Sequence, residues 1–179
     1  MLTVGHGTAT QEQFSTALRG ADVALVVDVR IAPGSRRHPQ FGRAELERWL
    51  PDVGVAYRWE RRLGGFRKLP ADSPDVALRN ESFRAYAAHM RTPEFIGAID
   101  DLLDDAMAQR VTVMCSEAVW WRCHRRLIAD FLVLTRGVDV LHLMPDGRLT
   151  PHLPTDGVRA AGGQLIYDAG AQQLGCADT

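Results

Sequence analysis

The chain alternates short aliphatic runs with amphipathic stretches at helical spacing. Leu2 to Val4 predicts a short strand that ends in Gly5-His6-Gly7-Thr8. Thr8 or Thr10 can then cap a helix whose apolar positions are Phe14 and Leu18, because a hydroxyl ahead of the first turn satisfies orphan backbone N–H groups. Val23 to Val29 is a continuous aliphatic run, the pattern of a strand covered on both faces. Arg43 to Leu50 predicts a short helix stopped near Pro51, and Val55 to Trp59 alternates as a strand does. Ser82 to Met90 sets Phe83, Tyr86, Ala87 and Met90 on one helical stripe. The plainest helix runs from Pro93 to Gln109, with proline in the first turn and Phe95, Ile96, Ile99, Leu102, Leu103 and Met107 on one face. Asp100, Asp101, Asp104 and Asp105 fall on the other face and read as solvated surface rather than a metal site.

Val111 to Cys115 predicts another buried strand, Cys123 to Leu134 a helix closed by Gly137, and Val138 to Leu143 a strand. The turn Pro145 to Arg148 leads into a hairpin. From Thr155 the chain is rich in glycine and alanine, with one apolar stretch, Gln164 to Asp168. Strands separated by helices imply an α/β fold: a mostly parallel sheet with helices on both faces, plus a C-terminal hairpin and peripheral tail. The expected organisation is one α/β domain over residues 1–154 and a peripheral tail over residues 155–179. Ligands of such sheets bind outside the carboxyl ends of the strands. The unusual residues collect there, in Gly5-His6-Gly7, Asp28-Val29-Arg30, Arg61 to Gly65 and Cys115-Ser116-Glu117.

Composition adds a class and a compartment. With 179 residues, 46% apolar and 24% charged, the chain has the make-up of a soluble globular protein. No segment reaches the roughly 20 apolar residues of a membrane span, so no membrane partner is expected. The N-terminus lacks the basic start and apolar run of a signal peptide. The expected compartment is the cytoplasm, where thiols stay reduced, and three cysteines argue against a disulfide framework. A net charge of −1 hides an uneven distribution. Arg30 to Lys68 holds nine arginines and the only lysine against Glu45, Glu47, Asp52 and Glu60. An arginine-rich stretch follows from a GC-rich genome, or from recognition of phosphate and carboxylate.

Four places carry candidate chemistry. Glycines on both sides of His6 allow a tight turn and close approach of a ligand, although the dinucleotide fingerprint GxGxxG is incomplete. Asp28 closes a buried strand, where an unpaired carboxylate is costly; it pairs with Arg30 or Arg36, or serves as a general base. The loop with Ser35, Arg36, Arg37 and His38 suits an anionic ligand. Gly64-Gly65 has basic flanks, with Phe66 available for stacking. In Val111 to Leu132, Cys115 and Cys123 lack the short C-x-x-C spacing of common zinc sites, and adjacent Cys123 and His124 diverge on a helix. Zinc is therefore not favoured, and no cofactor is expected. Six residues between Cys115 and Arg122, rather than five, miss the phosphate-cradling loop of cysteine phosphatases. Glu117, after a buried strand, can activate water without cysteine chemistry.

Taken together, TVGHGT, VVDVR-x-x-P-x-SR, LGG and MCSE with a later CHR resemble the bacterial and archaeal family called domain of unknown function 488. Its usual forms are TIGHS, DVR-x-x-P-x-S, LGG and C-x-E…CHR, and the likeness runs from about Thr3 to His142. The resemblance implies that Gly5, His6, Asp28, Arg30, Pro33, Ser35, Arg36, Cys115, Glu117, Cys123, His124 and Arg125 occupy motif positions. Gly7 departs from a frequent serine, and Ser116 from alanine or glycine. The resemblance implies no reaction.

The expected function is acid–base hydrolysis of an anionic nucleotide or nucleic-acid substrate, at an N-glycosidic bond. His6, Asp28 and Glu117 would supply the chemistry, and Gly5, Arg30, Ser35, Arg36, Gly64, Gly65 and Arg125 would hold the substrate. A second reading is a thiol- or metal-dependent enzyme centred on Cys115, Cys123 and His124. A third is a non-catalytic nucleic-acid or small-ligand binding module. The single-site readings require these residues to converge.

Overall fold

The structure, a computed structural model, describes residues 1–34 and 36–169. Five parallel strands and one antiparallel strand form a sheet in the order β3-β2-β4-β1-β5-β6. They are β1 (Leu2–Gly5), β2 (Leu25–Asp28), β3 (Ala56–Trp59), β4 (Val111–Cys115), β5 (Leu141–Leu143) and β6 (Leu149–Pro151). The helices are α1 (Gln11–Gly20), α2 (Arg43–Trp49), α3 (Glu81–His89), α4 (Pro93–Ala108) and α5 (Arg125–Arg136). A separate hairpin joins β7 (Val158–Ala161) to β8 (Gln164–Tyr167).

Alternation along the strands feeds two cores. Val27, Val29, Val111, Val113 and Cys115 point to the layer of α3, α4 and α5. Val26, Met114, Leu2 and Val4 point to α1 and α2. Successive strand residues face opposite sides, so the unbroken apolar runs of β2 and β4 mark strands buried on both faces. Local chemistry sets the ends. Thr10 caps α1 through a reciprocal pair with Gln13, Thr92 caps α4 ahead of Pro93, and Gly137 closes α5 at φ +64°. The acidic face of α4 is surface, as expected: Asp100, Asp101 and Asp105 pair with Arg136, Arg62 and Arg58.

Two expectations change. The last helix begins at Arg125, two residues later than the periodicity predicts. A 3-10 turn at Trp120–Arg122 and an extended Cys123 (φ −121°, ψ 150°) precede it. Secondly, residues 155–169 are not peripheral. Leu165 and Tyr167 are buried in the core against α5. The Tyr167 hydroxyl donates to Asp130 at 2.9 Å, and buried Asp75 accepts from the Tyr167 N–H and from Arg91. Residues 170–179 lie outside the described residues. No helix among the described residues is long and apolar enough to cross a membrane.

β1 and β4 are neighbours, yet the helices that follow them, α1 and α5, pack on opposite faces of the sheet. Chain leaving to opposite faces opens a crevice at the strand ends, where ligands of parallel sheets bind.

Candidate functional site

A cavity of about 610 Å³ occupies that crevice. His6 and Gly7 enter it from β1, Arg30 from β2, and Cys115, Ser116 and Glu117 from β4. Gly65 and Phe66 come from the loop after β3, and Phe83 and Tyr86 from α3; Cys123 and His124, just ahead of α5, complete the wall.

The Asp28–Arg30 unit is built for position. Asp28 is fully buried. Its Oδ1 accepts from the Arg30 N–H at 3.0 Å and from Arg30 Nε at 2.8 Å. Its Oδ2 accepts from Arg30 Nη2 at 2.6 Å and from the Tyr57 hydroxyl at 2.8 Å. Burial, and then the Asp28 carboxylate, raise the Tyr57 pKa, so this hydroxyl stays protonated and donates. Arg30 Nη2 also donates to the Phe41 carbonyl at 2.8 Å. Nη1 therefore remains to face the cavity, 3.4 Å from His6 Nε2. Asp28 itself lies behind the wall rather than on it.

His6 stacks on Phe41 at 4.2 Å between ring centroids. Nδ1 lies 3.0 Å from the Gly7 carbonyl and carries the proton in the tautomer that lets Nε2 face Arg30. Burial first, and then the charge of Arg30, push its pKa down to about 4. On the far side of β1, His142 lies in a buried chain from Thr3 through His152 to Asp130, with Trp120 stacked on its ring at 3.9 Å. Burial, then His152 and Arg125, hold it down to about 3. Both imidazoles fold neutral, so the unfolded chain binds more protons between the ordinary value of 6.5 and the depressed ones. Stability is then fully present above pH 6.5 and is lost as pH falls. Thermal melts should show Tm falling steadily from pH 6.5 toward 4, and the His6→Gln and His142→Gln double variant should flatten that slope.

The loop from β4 to α5 is clamped from within. Arg125, 1% exposed, donates through Nη2 to the Glu117 carbonyl and through Nε to Cys123 Sγ at 3.4 Å. Among the described residues it has no carboxylate partner. A buried guanidinium needs compensating negative charge, and the acid within its reach is the Cys123 thiol. The nearby Cys115 thiol lowers the Cys123 pKa, and Cys123, then burial, raise that of Cys115. Gly5 lies under this clamp: a Cβ there would sit 1.9 Å from the Glu117 carbonyl oxygen and 2.7 Å from Arg125 Nη2. Gly5→Ala should cost about 1–3 kcal/mol as an overpacking change, read as a lowered midpoint in urea. The Glu117 side chain is exposed on the wall, with Oε1 accepting from the Val119 N–H at 3.3 Å.

Cys115, Cys123 and His124 are the one group among the described residues whose donor atoms, within 4.8 Å of one another, have the number and type a metal ion would need. The expected divergence of Cys123 and His124 does not occur, because neither lies within the helix. His124 Nε2 lies 3.2 Å from the Val29 carbonyl.

Of the residues expected at a site, His6, Arg30, Gly65 and Glu117 line the cavity together with the three alternative residues Cys115, Cys123 and His124. Gly5, Asp28 and Arg125 support the wall from behind. Gly64 is packed, with Ile31 and the Arg61 carbonyl each 3.0 Å from where a Cβ would be. Arg36 is exposed and off the cavity wall, and Ser35 lies outside the described residues. The contribution of α3, through Ser82, Phe83 and Tyr86, was missed, since its helical stripe reads as ordinary packing. Phe66 is 89% exposed at φ +58°, a backbone region uncommon outside glycine.

Fold and cavity define an α/β protein with a basic, thiol-bearing pocket at the strand ends. The profile of the family described as Domain of unknown function DUF488 matches residues 10–132, and the chain belongs to that family. No curated protein and no solved structure matches the chain.

Proposed function

We propose that this protein is a hydrolase for an anionic, ring-bearing substrate of nucleotide size, taken free or as one unit of a single-stranded nucleic acid. The observation that carries the reading is the charge of the wall. Among the described residues, Arg30, Arg37 and Arg122 line the cavity against a single carboxylate, Glu117. Guanidinium groups suit phosphate and carboxylate, and exposed Phe66 offers a face on which a base can stack. Glu117 serves as general base toward water. Asp28 and the Phe41 carbonyl take Nε and Nη2 of Arg30, Tyr57 steadies Asp28, and neutral His6 meets one N–H of Nη1, which leaves the other to meet the substrate.

The test is binding of a labelled mononucleotide and of a short single-stranded oligonucleotide, followed by product analysis. Binding should weaken with salt, with a log–log slope of about −2 for roughly three phosphate contacts on a single strand. Phe66→Ala should weaken binding by about 1–3 kcal/mol if a base stacks there. Release of free base marks an N-glycosidic bond, and release of phosphate marks a phosphoester. Binding without turnover overturns the hydrolase in favour of a binding module, and no binding at low salt overturns both.

A further inference from the structure

We propose that Cys115, Cys123 and His124 hold a zinc ion, with a fourth coordination position opening into the cavity beside Glu117. The three residues come from two rigid places. Cys115 ends β4 in register with Gly5, and Cys123 and His124 directly precede α5. Cys123 Sγ and His124 Nδ1 are 3.7 Å apart. Tetrahedral zinc with bonds of about 2.3 Å to sulfur and 2.0–2.1 Å to nitrogen requires a sulfur–nitrogen edge of roughly 3.6 Å. The pair thus spans the edge of such a site without rearrangement.

The surroundings of the three donors are those of ligands. His124 Nε2 faces the Val29 carbonyl at 3.2 Å, which places its proton there and leaves the Nδ1 lone pair on the side of the thiols. Zinc-bound histidines are oriented by this kind of outer contact. The Tyr86 ring, 5.0 Å away, packs on the imidazole. Gly65 keeps the approach clear, since a Cβ there would lie 3.3 Å from Nδ1. Arg125, buried without a carboxylate among the described residues, donates to Cys123 Sγ at 3.4 Å and fixes the position of that sulfur.

Charge selects the fourth ligand. Zinc(II), two thiolates and a neutral imidazole sum to zero, so an anionic fourth ligand gives −1, which Arg125 balances. Soft sulfur donors favour zinc over magnesium or calcium. A closed structural site would have four protein ligands, whereas three ligands on a cavity wall match the open arrangement of catalytic zinc. Metal binding stands by itself; its use on substrate rests on the hydrolase reading above.

The experiment uses the full chain expressed without a metal-binding tag. Elemental analysis should find about one zinc per chain. Chelator-stripped protein should take up one cobalt(II), with a thiolate-to-cobalt absorption in the near ultraviolet and visible bands of tetrahedral intensity. Cys115→Ser, Cys123→Ser and His124→Asn should each weaken zinc by more than about 100-fold, beyond the 10–100-fold of losing an outer contact, with circular dichroism reporting the fold. An arm with all three ligands intact covers any that do not fold: in a Cys176→Ser background, zinc should protect both remaining thiols from alkylation, and chelator should expose them.

Stripped, folded protein that takes up neither zinc nor cobalt at micromolar concentrations overturns the site, as does unchanged uptake by the folded Cys115→Ser and Cys123→Ser double variant. Metal bound by Glu117→Gln and wild type alike, with no anionic ligand captured, sinks the hydrolase and leaves the zinc standing. Full turnover by metal-free protein sinks the use of the metal on substrate and leaves the hydrolase standing.

Discussion

Glu117→Gln is expected to lower turnover by about 10²–10⁴-fold, the usual contribution of a positioned general base. The substitution is close to isosteric. Its amide oxygen can still accept from the Val119 N–H, as Oε1 does at 3.3 Å. The clamp of the loop uses the backbone carbonyl of this residue, held by Arg125, so the loop should not move. The prediction is therefore specific to kcat: KM and nucleotide affinity should stay within about threefold, since an interaction made only in the transition state was removed. A rise in KM with kcat unchanged would assign Glu117 to binding and return the search for a base to the other cavity residues.

Asp28→Asn should cost about 3–5 kcal/mol of stability, the range for removing one member of a buried ion pair. Asp28 is fully buried and meets Arg30 through two side-chain contacts and one backbone contact. The amide leaves the guanidinium without a counter-charge and gives Tyr57 a poorer acceptor. At roughly 2–4 °C per kcal/mol for a domain of this size, Tm should fall by about 6–20 °C. A triple change, Asp28→Leu with Arg30→Met and Tyr57→Phe, separates structure from function. Apolar replacements of a buried pair are often neutral or stabilising, so this variant should recover much of the lost stability while losing the anion. Recovery of anion binding would show that Arg30 is scaffold alone.

The fold was legible because its signals are local. The runs at Val23 to Val29 and Val111 to Cys115, the caps at Thr10 and Thr92 and the closing Gly137 each act within a few residues. The start of α5 misled because Cys123, His124 and Arg125 continue an apolar periodicity that belongs to the helix. The clamp on Glu117 holds the first two outside it. That shift matters for the site: helical geometry would have separated two donors that the extended Cys123 brings together. The tail was misjudged for a related reason. Its anchors, Tyr167 to Asp130 and Asp75 to Arg91, join positions far apart in sequence, and no pattern within a glycine-rich segment announces them. The convergence of Gly5-His6, Asp28-Arg30 and Cys115-Glu117 was legible, because strand ends of a parallel sheet must meet. Which of those residues face the cavity depended on hydrogen-bond partners that a sequence does not display. The His142–His152 contact is a diagonal one across the hairpin, since His142 pairs with Thr150 and His152 follows two residues later, and the spacing of two histidines about a turn is its one sequence signal.

The internal clamp between Arg125 and Glu117 has a consequence for how this site can change. Both rims of the loop are pinned independently of what lies between them. Within the span from Ala118 to Arg122, Val119 holds the Glu117 carboxylate through its N–H and Trp120 stacks on His142, so Trp121 and Arg122 form the exchangeable part. Lengthening such a span costs little chain entropy, about 0.6 kcal/mol for each doubling. The same chemistry is thus open to differently shaped substrates by re-cutting the segment between Trp120 and Cys123, in natural divergence or at the bench.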